Sequence, residues 1–197
     1  MLTRMAMDRQ VILAAVLLLG TALAHAETRT AVFAGGCFWC VEALYQETEG
    51  VIDAVSGFTG GTHPNPTYSG AHTGHYEAVL VTYDPAVIDY SRLLTLFWLN
   101  VDPVDARGQF CDKGESYRSA IFVTPEQRSL AEASLVQVVA QFDEPVATRV
   151  LPVAKFFPVE KYHQDYYLKN PIRYKFYRTS CRRDARLREV WAERSAP

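Results

Sequence analysis

Two cysteines three residues apart, Cys37 and Cys40 in the run GGCFWC, are the residues of this 197-residue chain best suited to chemistry. They follow an apolar run, TAVFA, and lead into VEALYQ, which has helix-forming character. The Gly35-Gly36 turn between these segments predicts a strand entering a helix, with both thiols on the first helical turn. Unpaired backbone N–H groups and the positive end of the helix dipole then stand beside the Cys37 sulfur and favour its thiolate. Metal, redox and nucleophilic uses are all open to such a pair. A zinc knuckle needs a second ligand pair at similar spacing, and neither Cys111 nor Cys181 has one nearby. Haem attachment needs a histidine directly after Cys40, where the chain has Val41. The histidines His63, His72, His75 and His163 lack ligand spacing, so no metal site and no cofactor is expected.

Two chemistries survive. One is a C-x-x-C dithiol–disulfide oxidoreductase; the other is an enzyme whose thiolate attacks a small substrate. Phe38 and Trp39, between the thiols, build a greasy wall that suits a bound thioether-like methyl group better than an approaching protein disulfide. The second chemistry also needs a general acid. The alternation of HYEAVLVTYDP places Glu77 on the same face as Val79, Val81 and Tyr83, and an apolar face raises a carboxyl pKa. A structural ion pair of Glu77 with Arg118 is the bland alternative.

Elements that could position these groups follow from the pattern. Strands are expected at Thr28–Ala34, at VIDAVSGF, at HYEAVLVTYDP, at YRSAIFV and at ATRVLPV. SRLLTLFWLN reads as an amphipathic helix. Thr124-Pro125-Glu126-Gln127 opens another with a capping box, VEKYHQDYYLKN is a short helix stopped by Pro171, and DARLREVW is a terminal helix. The segments TGGTHPNPTYSGAHTGH and DPVDARGQFCDKGES read as long loops, which in compact domains usually carry sites. This irregular alternation predicts one α+β domain over residues 27–197, a mixed sheet with helices packed on its faces.

The motifs resemble those of the A-type peptide methionine sulfoxide reductases. GGCFWCVE is similar to that family's nucleophile motif, NPTY and TGHYEAVLVTYDP to its following loop and strand, and GQFCDKGESYRSAIF and FFPVEKYHQDYYLKNP to its later segments. The resemblance implies a ferredoxin-like fold, a thiol-dependent reduction of methionine S-sulfoxide, protein-bound or free, and a thioredoxin-like reductant. It implies Cys37 as nucleophile, Glu77 as acid, Phe38 and Trp39 as walls for the substrate methyl, and Tyr68, Asp112 and Tyr117 as polar groups around the sulfoxide and peptide. The chain is shorter than the family pattern between Tyr68 and Gly74, so Tyr68 must reach the site by a different loop closure. Three cysteines are candidates for resolving the resulting sulfenic acid. Cys40 is the i+3 neighbour, Cys181 follows a basic, flexible-looking stretch near the C-terminus, where the family commonly has such a cysteine, and Cys111 adjoins Asp112.

Residues 1–26 carry Arg4 and Arg9, the apolar run VILAAVLLLGTALA and an A-x-A site at Ala24-His25-Ala26, and read as a cleaved secretory signal. A periplasmic or otherwise exported protein is expected, repairing oxidised exported proteins without stable membrane association. All three methionines, Met1, Met5 and Met7, fall in that segment. The remaining 171 residues hold 18 basic and 21 acidic side chains, with no basic stripe of the kind nucleic acid requires. A monomer is expected.

Overall fold

The computed structural model describes residues 27–195 and 197; the signal-peptide reading of residues 1–26 lies outside them. Strand β1 (Arg29–Gly35) feeds α1 (Phe38–Gln46), which returns through β2 (Val51–Thr59) and β3 (Tyr76–Tyr83) to α2 (Tyr90–Leu99). The second long loop contains a short hairpin, β4 (Gly108–Gln109) and β5 (Asp112–Lys113), and a 3-10 turn at Glu115–Tyr117. Then come β6 (Ser119–Val123), α3 (Pro125–Val139), β7 (Arg149–Pro152), β8 (Phe157–Pro158), α4 (Tyr166–Lys169), α5 (Pro171–Ser180) and α6 (Arg183–Trp191). The six-stranded sheet runs β7-β6-β1-β3-β2-β8, antiparallel except for the parallel β6–β7 pair. Its four central strands, β6-β1-β3-β2, with α1 after β1 and α2 after β3, form the split βαβ pattern of ferredoxin-like folds.

Alternation along β3 divides the sheet as the sequence requires. Val79, Val81 and Tyr83 join the main core with Phe33, Val41, Leu93, Phe97 and Trp98, while Tyr76 and Ala78 face a smaller cluster around Val32, Ala34 and Phe122. Phe33 stacks on Tyr45 and Phe97 at 5.0 and 5.4 Å, tying β1 to α1 and α2. The predicted capping box at Thr124 and Gln127 is formed.

Two segments differ from the sequence reading. The stretch before Pro171 is helical only over Tyr166–Lys169, because Asp165 adopts a left-handed φ of 53° that interrupts any longer helix. Pro171 follows the Asn170 C-cap of α4, as expected of a helix stop, and it also starts a second helix. Proline at the first helical position loses no hydrogen bond, and RYKFYRTS continues as α5 instead of remaining flexible.

The strand-to-helix turn leaves no room at Gly36. Its φ is +83°, and an added Cβ would lie 2.6 Å from the Gln109 Cβ. Gln109 is itself fixed, its carboxamide accepting from the Asp102 N–H at 2.8 Å and donating to the Asp102 carbonyl at 2.8 Å. Gly36→Ala is expected to lower the unfolding free energy by roughly 1–3 kcal/mol, the scale of a forced backbone conformation. Denaturant titration checks it; an unchanged midpoint would mean the turn is not tightly held.

Candidate active site

Cys37 is the N-cap of α1 and is only 6% exposed, and Cys40 is buried one turn on. The helix N-terminus does not serve the sulfur as the sequence suggests. The Phe38 N–H donates to the Glu77 carboxylate at 3.1 Å, and the Cys40 N–H donates to the Cys37 carbonyl at 3.1 Å. Burial therefore pushes the Cys37 thiol well up, helped by hydrogen bonding to Cys40 and the charges of Cys40 and Glu77; the Tyr177 phenol opposes. Cys40 is drawn down to about 6, chiefly by the hydrogen bond from Cys37, then by the Arg183 and Arg178 guanidiniums, against its own burial. Of the two thiols, Cys40 is the one whose surroundings favour ionisation, and the two titrate as a pair.

Glu77 reaches this pair because β2–β3 register sets it opposite Phe58 on the core face. It is 2% exposed. Burial raises its carboxyl to about 8; the Phe38 N–H and the Tyr117 phenol pull the other way, and Asp112 and Cys40 add to the rise. Arg118 does not pair with it, lying over the Tyr76 ring at 5.1 Å and donating to the Glu115 carbonyl.

The aromatic residues form a cup beside the thiols. Phe38 is packed edge-on to Phe58 at 5.9 Å, and Trp39 lies flat on Tyr166 at 3.7 Å. Tyr68, 38% exposed, reaches the site despite its shortened loop: its ring sits 6.1 Å from Phe38, 6.3 Å from Trp39 and 3.9 Å from His163. That loop is braced by histidines. Buried His75 accepts from the Gly61 N–H at 3.3 Å and bonds the His63 carbonyl at 3.0 Å, and the His72 ring stacks on Phe58. Burial, with the Glu77 charge next, raises the Tyr68 phenol to about 12 and the Tyr117 phenol further, so both remain O–H donors.

Asp112 is half-buried, its carboxyl raised by burial, and it accepts a short hydrogen bond from the Tyr177 hydroxyl on α5. Of the three resolving candidates, Cys111 and Cys181 are joined in a disulfide, whereas Cys40 is a free thiol like Cys37. The Cys111, Asp112 and Cys181 ligand atoms lie within 4.8 Å of one another, but the disulfide occupies both sulfurs. Sequence reasoning missed His163, Tyr166, Tyr177 and Tyr174, whose phenol faces the Cys40 thiol and helps lower it. The spacing of Tyr174, Tyr177 and Cys181, which sets them on one face of a helix, was the available signal. It missed Arg183 as well, buried behind Gly35 with its guanidinium 4.3 Å over the Phe110 ring and donating to the Gly35 and Asn100 carbonyls.

A buried dithiol, a carboxyl kept neutral and an aromatic cup lined with phenol donors define a thiol-based oxidoreductase for a small, partly apolar substrate. A sequence profile of the peptide methionine sulfoxide reductases matches residues 29–195. Peptide methionine sulfoxide reductase MsrA 2 of Caulobacter vibrioides is 52% identical over 174 residues, covering 86% of this chain and 89% of that protein. MsrA of Bacillus licheniformis is 46% identical, covering 83% and 94%. The solved methionine sulfoxide reductase A of Corynebacterium diphtheriae superposes with a TM-score of 0.67 at 32% identity, covering 79% and 81%. The chain belongs to the peptide methionine sulfoxide reductase family, and its reaction is the thiol-dependent reduction of methionine sulfoxide.

Glu77→Gln is expected to slow methionine formation in a single turnover by roughly 10²-fold, the scale of a lost general acid. The loss should be greatest near pH 7 and should shrink as pH rises through about 8, where the native carboxyl gives up its own proton. Folded Glu77 holds its proton above the unfolded value, so its contribution to stability falls as pH rises from the ordinary carboxyl range of about 4.3 to about 8 and levels off above that. The variant should lose less stability than the wild type over the same range. Full turnover with a changed melting temperature would make Glu77 structural.

Proposed function

We propose that Cys37 attacks the sulfoxide sulfur while Glu77 protonates its oxygen, with the Tyr68 and Tyr117 hydroxyls holding that oxygen and Phe38 and Trp39 holding the methyl. The supporting observation is the adjacency of the Cys37 N-cap and a neutral Glu77 bonded to the next residue's N–H. A sulfoxide sulfur becomes a useful electrophile only when its oxygen is protonated or hydrogen-bonded, and the site supplies one acid and two phenols for this. The negative charge of the thiol pair supplies the nucleophile, the proton passing between Cys37 and Cys40 as the substrate replaces water in the cup. The oxygen passes to sulfur, releasing methionine and leaving Cys37 as a sulfenic acid. Asp112 is the polar contact for the substrate backbone, carried by the loop that Tyr177 braces. Preference for the S epimer belongs to this reading.

Cys40 is proposed as the resolving thiol. It attacks the Cys37 sulfenic sulfur, water leaves, and a Cys37–Cys40 disulfide forms; a dithiol then returns both to thiols and becomes a disulfide itself. A thioredoxin-type protein is the proposed reductant; Mxr1 of Saccharomyces cerevisiae, which shares this fold, is solved in complex with Trx2. The buried Glu77 carboxyl beside the Cys37 N-cap weighs against the C-x-x-C oxidoreductase alternative, because thiol–disulfide exchange has no sulfoxide oxygen for such an acid to protonate. Export after cleavage at Ala26 and action as a monomer on oxidised exported proteins complete the proposal. No helix among the described residues is long and apolar enough to cross a membrane. Intact mass and light scattering of the secreted protein check cleavage and monomer together.

One equivalent of methionine sulfoxide peptide, followed by thiol trapping and mass mapping, should yield a Cys37–Cys40 disulfide with Cys111–Cys181 unchanged. Cys40→Ser should accumulate sulfenic acid at Cys37, and Cys37→Ser should release no methionine. A new disulfide from Cys37 to Cys111 or Cys181 in the native protein would transfer the resolving role to that residue.

A further inference from the structure

Glu42 is a buried carboxyl that the reaction above does not use. It lies on α1 one turn past Phe38 and is fully buried, and neither of its oxygens reaches an aligned hydrogen-bond partner. The groups facing it are the Ser56 hydroxyl on β2, itself buried and unpartnered, and the backbone N–H groups of Asp165 and Tyr166. Those two residues begin the short helix whose Tyr166 ring lies flat against Trp39.

This turn has an unfavourable geometry that something must hold. Asp165 is left-handed, with φ 53°, a conformation that costs a non-glycine residue about 1 kcal/mol or more. Its flank is fastened to β2 through Gln164, which accepts from the Ser56 N–H at 2.9 Å and donates to the Ser56 carbonyl at 2.8 Å. Gln46, one helical turn after Glu42, donates to the Asp165 carboxylate at 3.0 Å and to the Ala54 carbonyl at 3.2 Å. Glu42 is the remaining polar group on that face of α1 and stands under the N–H groups that the two glutamines leave untouched. A buried polar group persists where its loss would leave others unsatisfied.

We infer that Glu42 is a positioning residue, whose carboxyl under the Asp165–Tyr166 N–H groups holds Tyr166 and His163 against Trp39 and so sets the shape of the substrate cup. Burial, the largest influence on its carboxyl, raises it to about 7, with the Asp165 charge adding and the facing N–H and hydroxyl groups opposing. A neutral amide of the same shape can therefore take its place, whereas a shorter carboxyl or an apolar side chain cannot. The inference rests on Phe38 and Trp39 forming the substrate wall.

The test is steady-state kinetics on a methionine sulfoxide peptide with dithiothreitol as reductant, comparing Glu42→Asp, Glu42→Leu, Glu42→Gln and Trp39→Leu. Glu42→Asp and Glu42→Leu should raise KM about tenfold with kcat within about twofold, the scale of one lost buried polar contact. Glu42→Gln should return KM to within about twofold of the wild type, a rescue that a charge-dependent role would not allow. An unchanged KM in Glu42→Asp overturns the inference, as does a Glu42→Gln variant as impaired as Glu42→Leu, or a loss carried mainly by kcat. Should Glu42→Leu fail to fold, the Asp and Gln variants decide by the same criteria. A raised KM in Trp39→Leu beside an unchanged one in Glu42→Asp removes only this inference; an unchanged KM in Trp39→Leu removes the wall assignment and this inference together.

Discussion

The site depends on the shared burial of two thiols and one carboxyl. Cys37, Cys40 and Glu77 are all buried within electrostatic reach; the charges of Cys40 and Glu77 discourage ionisation of Cys37, and that of Cys40 discourages ionisation of Glu77. In a low-dielectric interior such groups divide a charge instead of multiplying it. The state the structure favours is a thiol pair that has given up one proton beside a carboxyl that has kept its own. That combination, an ionisable thiol pair beside a protonated carboxyl near neutral pH, is what the proposed attack on a sulfoxide asks for.

Much of the architecture serves to keep this charge state dry and in place. The β2–β3 register turns Glu77 toward the core, and the glycine turn before α1 brings the helix start down onto it, so that a backbone N–H bonds the carboxyl. Arg183, reaching from the last helix to the Gly35 carbonyl, braces that turn and lends its positive charge to the Cys40 thiol. Tyr177 on α5 closes the other side, bonded to Asp112, with the Cys111–Cys181 disulfide joining the same helix end to the same loop. These parts come from segments distant in the chain, and the helix-first-turn thiols depend on all of them.

The local features were legible in the sequence. Gly35-Gly36 gave the turn, the alternation around Glu77 gave its face, and Thr124-Pro125 gave the start of α3, because each is decided within a few residues. The central βαββαβ order came from the family resemblance together with this pattern. What did not show was anything settled by long-range contact. Pro171 signals the stop of the helix before it but carries no local sign that RYKFYRTS after it is helical as well, with Tyr177 set edge-on to Trp39. His163 lacks ligand spacing and has no chemistry to assign until the fold stacks it on Trp39 and sets it against Tyr68. The thiolate bias expected of Cys37 failed for a related reason: the fold buries the thiol and sets Cys40 and Glu77 beside it, and the helix-end N–H of Phe38 goes to the Glu77 carboxyl.

The central claim, that Glu77 is a neutral acid in the folded protein at pH 7, is tested most directly by infrared titration of protein carrying carbon-13 at the glutamate carboxyls. A protonated-carboxyl band that disappears with a midpoint near pH 8 in the wild type, and is missing from Glu77→Gln, is the predicted result. If every band removed by Glu77→Gln belongs instead to a carboxylate already ionised at pH 5 to 6, the ordinary range for this side chain having been passed at about 4.3, Glu77 cannot be the acid.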